Sequence, residues 1–195
     1  MLYLSRNVLI FLLFLGSNTF LFAQDAEDQA AQMQIWTEYM TPGPMHEMLA
    51  KSVGDWKTIS RFWMDPAGEP METEGTGKTE MILGGRYQKS THKSSMMGME
   101  TEGIFIMGYD NATQEFTSTW IDNMGTGTAV AKGRYDERTK IPLLLNGTMV
   151  DPMSKQEMNF REILKFLDDD HQLLEMYVVY NGQEFKSMEI EFVRQ

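Results

Sequence analysis

Cysteine is missing from this chain of 195 residues, and acidic residues outnumber basic ones by 28 to 17. Without cysteine, a disulfide scaffold, a cysteine-ligated zinc or iron–sulfur site, a thiol nucleophile and a lipid-anchoring cysteine are all excluded. The net charge of −11 argues against binding to nucleic acid or to an anionic membrane surface, because phosphate contacts need clustered Lys and Arg. The length and composition predict one globular domain.

The first 23 residues have the pattern of a signal peptide. Arg6 supplies the positive charge, Val8–Leu15 is a continuous apolar run, and Phe20–Gln24 offers a cleavage region. Leu21 is larger than the small residue preferred three positions before a cleavage site, so an uncleaved anchor is the alternative. We expect an exported protein, periplasmic or extracellular, that has no membrane association once residues 1–23 are removed.

A polar N-terminal segment over residues 24–41 follows the signal peptide and precedes a single folded domain over residues 42–195. In the polar segment Met33, Trp36 and Met40 recur at helical spacing. This spacing is typical of one weak amphipathic helix, although a tether of the folded domain would also be polar. Both interpretations stay open at this point.

A short helix is predicted to open the folded domain. Its apolar positions recur at i, i+3, i+4 and i+8, and a proline lies in its first turn; these residues are Pro44, Met45, Met48, Leu49 and Val53. Gly54, just past the last apolar position, is typical of a helix C-terminus. The helix therefore has one apolar face to bury.

After Gly54 the apolar period changes from 3.6 to 2 and stays there. Runs rich in aromatic and β-branched residues, separated by turn residues, predict ten strands: Asp55–Met64, Thr73–Leu83, Arg86–Ser95, Glu102–Tyr109, Glu115–Asp122, Thr128–Tyr135, Ile141–Met149, Glu157–Leu167, Gln172–Tyr180 and Glu184–Arg194. Short links favour antiparallel neighbours in up-and-down order, and an open sheet would leave two exposed edges. We therefore predict an all-β fold, an up-and-down antiparallel barrel of about ten strands whose short helix closes one end.

Aspartate recurs at the exits of the predicted strands. Tyr109-Asp110-x-x-Thr113 is repeated as Tyr135-Asp136-x-x-Thr139, and Asp65-Pro66 is repeated as Asp151-Pro152. An aspartate in such a position accepts a hydrogen bond from the backbone two residues on and holds the turn. We interpret these aspartates as hairpin turn chemistry rather than as equivalent carboxylate sites.

The junction between the helix and the first strand, Gly54-Asp55-Trp56, resembles the G-x-W start of lipocalin-type barrels. Arg194, at the end of the last strand, matches the basic residue that those barrels stack on this tryptophan. First and last strands are neighbours in a closed barrel, so Trp56 and Arg194 would form a cation–π contact that seals one end. The resemblance predicts these two residues as the barrel closure.

Longer strings of sequence resemble the bacterial family catalogued as domain of unknown function 1579, across Pro42 to Arg194. The strings are Pro42-Gly43-Pro44-x-His46-Glu47-x-Leu49-Ala50, Met81-Ile82-Leu83-Gly84-Gly85-Arg86, Gly108-Tyr109-Asp110-Asn111, Ser118-Thr119-Trp120-Ile121-Asp122-Asn123-Met124-Gly125-Thr126-Gly127 and Asp151-Pro152-Met153. This resemblance implies a lipocalin-like (calycin) barrel and implies no assigned reaction.

Alternate residues of each strand would face an interior that holds packed side chains or one small ligand. With Trp56 inward and most lysines outward, the inner wall is rich in Met, Phe and Trp and suits a small, partly apolar ligand. On the last strand the predicted inward set is Lys186, Met188, Ile190, Phe192 and Arg194. The candidate ligand-binding residues are Met81, Arg86, His92, Trp120, Asp122 and Met188.

His92 is the histidine at mid-strand on the predicted inner wall. It could ligate haem, transfer a proton or hydrogen-bond a ligand, and an ordinary hydrogen-bonded strand histidine is the competing interpretation. His46 and His171 lie on other elements, so the histidines have no metal-ligand spacing and no metal site is predicted. No cofactor is assigned, and haem, which His92 could ligate, is the one cofactor that remains a candidate. Asp122 is either a buried carboxylate beside Trp120 or the start of a hairpin turn.

Three hypotheses of function follow from this sequence. The first is a barrel that binds one small, partly apolar molecule in an enclosed cavity. The second is an enzyme in which His92 works with Asp122 or Glu162, which requires two of these groups within hydrogen-bond reach. The third is a filled barrel that serves as a structural or interaction module, with an exposed apolar patch around Ile59 and Trp63. No reaction is assigned, and the sequence leaves the oligomeric state open.

Overall fold

The computed structural model describes residues 28–136, 141–180 and 182–195. The chain divides into two units, and the boundary in the sequence lies between Thr41 and Pro42. The predicted signal peptide over residues 1–23 lies outside the described residues. In the first unit, residues 28–40 form a helix, α1, so the amphipathic spacing is realised as a helix rather than as an extended tether. In the part of the chain that the structure describes, no helix is long and apolar enough to cross a membrane.

The second unit consists of one short helix, α2 (Pro44–Ala50), and ten strands. The strands are β1 (Gly54–Phe62), β2 (Met71–Ile82), β3 (Tyr87–Met96), β4 (Met99–Asp110), β5 (Glu115–Asp122), β6 (Ala129–Asp136), β7 (Ile141–Val150), β8 (Glu157–Phe166), β9 (His171–Tyr180) and β10 (Gln183–Arg194). Each strand pairs antiparallel with its neighbours in sequence, and β1 also pairs with β10, so the barrel is closed. The predicted ten-strand up-and-down barrel is confirmed.

The largest difference from the predicted bounds is at the start of β4, which begins three residues earlier than expected. The connection from β3 is a two-residue turn in which Met97 and Gly98 both have positive φ, 53° and 80°. Such a turn matches the twist of the two strands and lets pairing continue up to Met96 and Met99. A methionine in this conformation carries no sequence signal, because glycine and asparagine are the residues that normally indicate it.

Helix α2 packs against β3 and β4 and covers one end of the barrel, which we call the closed end. Pro44 occupies its first turn, and the Gly43 N–H donates a hydrogen bond to His46 Nδ1 at 3.0 Å. On the apolar face of the helix, Leu49 is completely buried in the core of the barrel. The opposite end, which we call the open end, carries the connections 63–70, 97–98, 123–128, 151–156 and 181–182.

Strand β10 departs from strict alternation at Ser187. The pairing with β9 shifts between Lys186 and Met188, so Phe185 rather than Lys186 packs against the core. Lys186 lies outside, with its Nζ 5.1 Å from the centroid of the Trp63 ring. The predicted inward position of Lys186 is therefore wrong, because one extra residue in a bulge moves the following side chains to the other face. The bulge keeps the ammonium group out of the apolar interior.

The turn aspartates behave as expected where the structure describes them. The Asp65, Asp110 and Asp151 carboxylates accept backbone N–H bonds at 2.8, 2.9 and 3.1 Å from Ala67, Ala112 and Met153. These aspartates therefore hold turns, as interpreted from the sequence. The repeat that follows Asp136 lies outside the described residues.

Trp56 and Arg194 join the first and last strands at the closed end. They are partners in the β1–β10 pairing, and the guanidinium carbon lies 4.3 Å from the centroid of the Trp56 ring. Arg194 also donates hydrogen bonds of 2.6 to 3.0 Å to the backbone carbonyls of Lys51, Val53 and Asp169. One guanidinium thus connects the end of α2, the loop between β8 and β9, and the C-terminal strand.

The position of the Arg194 guanidinium explains why residue 54 is a glycine. Its φ is +145°, a conformation that L side chains rarely adopt, and a Cβ at this position would lie 2.6 Å from Arg194 Nη1. Two residues later, the Trp56 indole donates from Nε1 to the Ser52 carbonyl at 2.9 Å. The Gly-x-Trp motif therefore leaves room for the arginine and holds the ring on which the arginine stacks.

We expect Arg194→Ala to lower the free energy of unfolding by about 2 to 4 kcal/mol, because it removes a cation–π contact and several charge-assisted hydrogen bonds. Urea unfolding followed by far-UV circular dichroism measures this loss. Arg134→Ala is the matched control, since that guanidinium is largely exposed and ion-pairs with Glu115 at the surface. The control should cost below about 1 kcal/mol, and equal losses for the two variants would contradict the role of Arg194.

Candidate functional site

The interior of the barrel is packed at its closed end, whereas towards its open end buried side chains such as Phe160 and Val178 lie beside half-buried ones. At the closed end the inward side chains are at most 1% exposed: Leu49, Met107, Phe116, Leu143 and Leu145. Nearer the open end, several inward side chains are half-buried: His92, Phe105, Trp120, Met149, Met158, Met188 and Ile190. Several inward side chains that keep accessible surface therefore lie towards the open end.

His92 faces this half-buried part of the interior from β3 and is surrounded by aromatic rings. Its ring centroid lies 5.6 Å from that of Trp120 and 5.8 Å from that of Phe192. Among the described residues His92 makes no hydrogen bond, and its ring nitrogens are not completely sealed. The interpretation of His92 as an ordinary hydrogen-bonded strand histidine is therefore not supported, because no residue in the described part of the chain is its partner.

Burial lowers the pKa of His92 to about 4. The imidazole is therefore neutral at pH 7, and it offers one hydrogen-bond donor and one acceptor to the interior. A neutral imidazole with a free nitrogen is also the form that binds a metal, so His92 is the side chain that could hold a haem iron. Elsewhere in the described chain, no group of three His, Asp or Glu could hold a metal ion.

Glycines on the neighbouring strands make room for the rings. His92 pairs with Gly77 on β2 and with Gly103 on β4. A Cβ on Gly103 would lie 2.2 Å from the Trp120 indole, so the indole lies directly over this backbone. Sequence analysis did not single out Gly103. The signal was available, because a glycine within a predicted strand indicates a close approach of another group.

Asp122 holds Trp120 in place. The indole Nε1 donates to Asp122 Oδ2 at 2.6 Å, while the backbone amides of Met124 and Gly125 donate to Oδ1 at 2.9 and 3.1 Å. The carboxylate therefore starts the hairpin turn and also orients the ring beside His92, and it is only partly buried. Its oxygens are occupied, so Asp122 is a positioning residue for Trp120.

Glu162, which the sequence suggested only as a catalytic alternative, brings a carboxyl group into the interior from β8. It is 7% exposed, and Ser118 Oγ on β5 donates to Oε2 at 3.1 Å. Oε1 has no partner among the described residues and is not completely sealed. Burial raises the pKa of Glu162, and the Ser118 hydrogen bond opposes this rise.

The two candidate methionines also face the interior. Met81 packs against the core on β2, and Met188 on β10 lies between its pairing partners Phe62 and Met176. Met188 belongs to the half-buried wall near the open end, whereas Met81 lies near the closed end. The candidate residues are thus spread along the barrel, with His92, Trp120 and Asp122 forming the group in mutual contact.

Arg86 does not line the interior. It is exposed and lies in the turn before β3, where its Nη1 donates to the Leu83 carbonyl at 3.1 Å. The predicted position of Arg86 at the inward-facing start of the third strand is therefore wrong. The turn has positive φ at Leu83, Gly84 and Gly85, and this left-handed stretch delays the start of β3 to Tyr87.

The other histidines lie away from this group. His46 on α2 is buried against Tyr109, with ring centroids 5.8 Å apart, and His171 pairs with Asp168 in the β8–β9 connection at 2.8 Å. Within the described chain no hydrogen bond joins His92 to Asp122 or to Glu162. The hydrogen bond between His92 and a carboxyl group that the enzyme hypothesis requires is therefore not formed among the described residues.

A closed ten-strand antiparallel barrel, with a helix over one end and a Gly-x-Trp motif clasped by an arginine, defines a lipocalin-like barrel protein. The chain belongs to the family described as protein of unknown function DUF1579, whose model matches residues 41–194. The resemblance recognised in the sequence is therefore confirmed. No curated protein matches this chain.

Two solved structures show the same architecture. The crystal structure of Rv2717c from M. tuberculosis is 13% identical, has a TM-score of 0.55, and the match covers 80% of this chain and 99% of that one. The S-type phycobiliprotein lyase CPES from Guillardia theta is 11% identical, has a TM-score of 0.53, and the match covers 82% of this chain and 96% of that one. At these identities the likeness shows the fold alone.

The low pKa of His92 predicts a stability change at mildly acidic pH. Its folded-state pKa of about 4 lies below the ordinary value of 6.5, so the unfolded chain binds more protons between these two pH values. The stabilisation is complete above pH 6.5 and is lost as the pH falls to 4. From 1.36 kcal/mol per pKa unit, we expect wild type to lose about 3 kcal/mol relative to His92→Phe between pH 7 and pH 4.

Urea unfolding at a series of pH values measures this difference. Glu162 contributes with the opposite sign, because its raised pKa makes the folded state bind the extra proton and lose stability as the pH rises. The same pair of proteins in a Glu162→Gln background isolates the contribution of His92. A difference that does not change with pH would show that His92 is not held neutral by burial.

Proposed function

We propose that this protein binds one small, partly apolar ligand in the open half of its barrel. The observation that carries the proposal is His92, a half-buried imidazole between Trp120 and Phe192 that has no hydrogen-bond partner among the described residues. Because its ring nitrogens keep accessible surface, a ligand can supply the hydrogen-bond partner that the described residues do not. The aromatic rings supply the apolar walls and the imidazole supplies the polar contact.

Methionines around the open end support this proposal. Four of the connections at this end each carry one, Met64, Met97, Met124 and Met153, with exposed fractions of 90, 80, 49 and 91%. Methionine side chains are flexible and polarisable, so they adapt to apolar groups of different shape. These methionines provide a flexible apolar rim at the open end, across which a ligand can pass from water to the inner wall.

The two other hypotheses have less support. An enzyme would need His92 and a carboxyl group in hydrogen-bond contact, whereas among the described residues no hydrogen bond joins His92 to Asp122 or to Glu162. A filled interaction module was expected to expose Ile59 and Trp63, yet both are half-buried and Lys186 lies over the Trp63 ring. Half-buried inward side chains such as His92, Trp120 and Met188 are not packed in the way a filled barrel requires.

Export is the second part of the proposal and rests on the signal-peptide pattern of residues 1–23. Expressed in a Gram-negative host, the chain should appear in the periplasmic fraction with an N-terminus near Gln24. Intact-mass spectrometry of the purified protein measures the cleavage. Recovery of the uncleaved 22.5 kDa chain in the cytosol would contradict export, and recovery in the membrane fraction would favour the uncleaved anchor.

Ligand binding is tested with a neutral apolar fluorophore, N-phenyl-1-naphthylamine. We expect a saturable rise in fluorescence, and Trp120→Ala should weaken binding about tenfold because it removes one aromatic wall, a loss of about 1.4 kcal/mol. Trp63→Ala is the matched control, since this ring lies outside the barrel beneath Lys186. Mass spectrometry of small molecules extracted from natively purified protein would identify the natural ligand.

Absence of saturable binding would contradict the proposal. Equal weakening by Trp120→Ala and Trp63→Ala would place the fluorophore outside the barrel and would contradict it as well.

A further inference from the structure

Glu162 lies in the middle of β8, deeper in the barrel than two inward residues of the same strand, the half-buried Met158 and the buried Phe160. Its strand neighbours in the pairing are Leu145 and Met176, so the carboxyl group stands among apolar side chains. It is five residues from the open-end start of β8, which corresponds to about 17 Å along the strand at ~3.3 Å per residue. An elongated molecule that enters at the open end spans this distance, and its passage requires Phe160 to move aside.

The Glu162 carboxyl group accepts fewer hydrogen bonds than an ionised carboxylate normally does. An ionised carboxylate accepts several hydrogen bonds, whereas Ser118 Oγ is the one donor to Glu162 among the described residues, and it reaches only Oε2. Oε1 faces the interior without a partner and keeps accessible surface. A buried carboxyl in this state either keeps its proton or takes a cation from outside the chain.

The described strands provide no such cation. Apart from Arg194, which is held at the closed end, their lysine and arginine side chains lie on the outward faces, where they pair with outward carboxylates. Examples are Lys57 with Glu74, Lys89 with Glu80 and Arg161 with Glu184. Among the described residues the half-buried interior therefore holds a free carboxyl oxygen and a neutral imidazole, but no cationic side chain that would pair with a ligand carboxylate or phosphate.

We propose that the ligand is an apolar molecule that carries an amine, and that Glu162 pairs with its ammonium group at the bottom of the half-buried interior. The inference rests on the proposed function and names the chemical class of its ligand. The apolar body would lie against Trp120, Phe192 and the methionines, and anionic amphiphiles of the same length would be rejected. The net charge of −11 also attracts a cation from a distance.

Three probes with the same eight-carbon chain test this specificity: octylamine, 1-octanol and octanoate. Isothermal titration calorimetry at pH 7 and 0.15 M salt measures their affinities for the full chain, because surface attraction is largely screened under these conditions. We expect octylamine to bind at least about tenfold more tightly than 1-octanol, and octanoate to bind most weakly. The order of the probes in the wild type tests the proposal without any substitution.

Glu162→Gln keeps the shape of the side chain and its contact with Ser118 but removes the charge. It should lower the affinity for octylamine about tenfold and leave the affinity for 1-octanol unchanged, which also shows that the barrel is intact. Glu157→Gln is the matched control, because this exposed carboxyl lies on the same strand and its loss changes the net charge equally. The control should change the affinity for octylamine less than about twofold.

Octanoate binding as tightly as octylamine, or equal losses of octylamine affinity in Glu162→Gln and Glu157→Gln, would overturn the inference while leaving ligand binding in place. If neither the three probes nor N-phenyl-1-naphthylamine binds, the proposed function itself fails, and the inference fails with it.

Discussion

Closure of the barrel is the constraint on which the rest of the structure depends, and the contact between Arg194 and Trp56 secures it. If β1 and β10 did not meet, each would present a row of unpaired backbone groups to water, and the sheet would enclose no interior. A charged side chain is suited to this position because a guanidinium can stack on a ring and donate several hydrogen bonds at once. Segments distant in sequence are thereby held at one end of the barrel.

The closed barrel then divides its interior into two parts with different physical character. Around Leu49 the side chains are apolar and fully buried, so this part contributes hydrophobic stabilisation. Beyond it, polar groups such as His92 and Glu162 face inward with unused hydrogen-bonding capacity. A barrel selected only for stability would fill these positions with apolar side chains, because unsatisfied buried polar groups destabilise the folded state. The unpaired groups therefore support a role in binding.

Much of the fold could be predicted from local sequence patterns. Alternation of polar and apolar residues indicated the ten strands and the inward position of Trp56, His92 and Trp120, and aspartates indicated several turns. The exceptions are local irregularities of the backbone. At Lys186 a bulge adds one residue, which reverses the face of a side chain in a structure of period two. At Arg86 the left-handed turn of Leu83, Gly84 and Gly85 extends one residue further than predicted, so Arg86 precedes the strand and lies exposed.

The sequence by itself determined the class of fold, the positions of the strands and the face on which most side chains lie, because these properties depend on neighbours within a few residues. Only the tertiary structure decided which inward groups meet. The hydrogen bond between Ser118 and Glu162 spans the barrel interior, and His92 finds Trp120 and Phe192 on strands that are not its neighbours. The alternation of polar and apolar residues along a strand predicts which side chains point inward. The tilt of the strands and the closure of the barrel determine which side chains lie opposite one another.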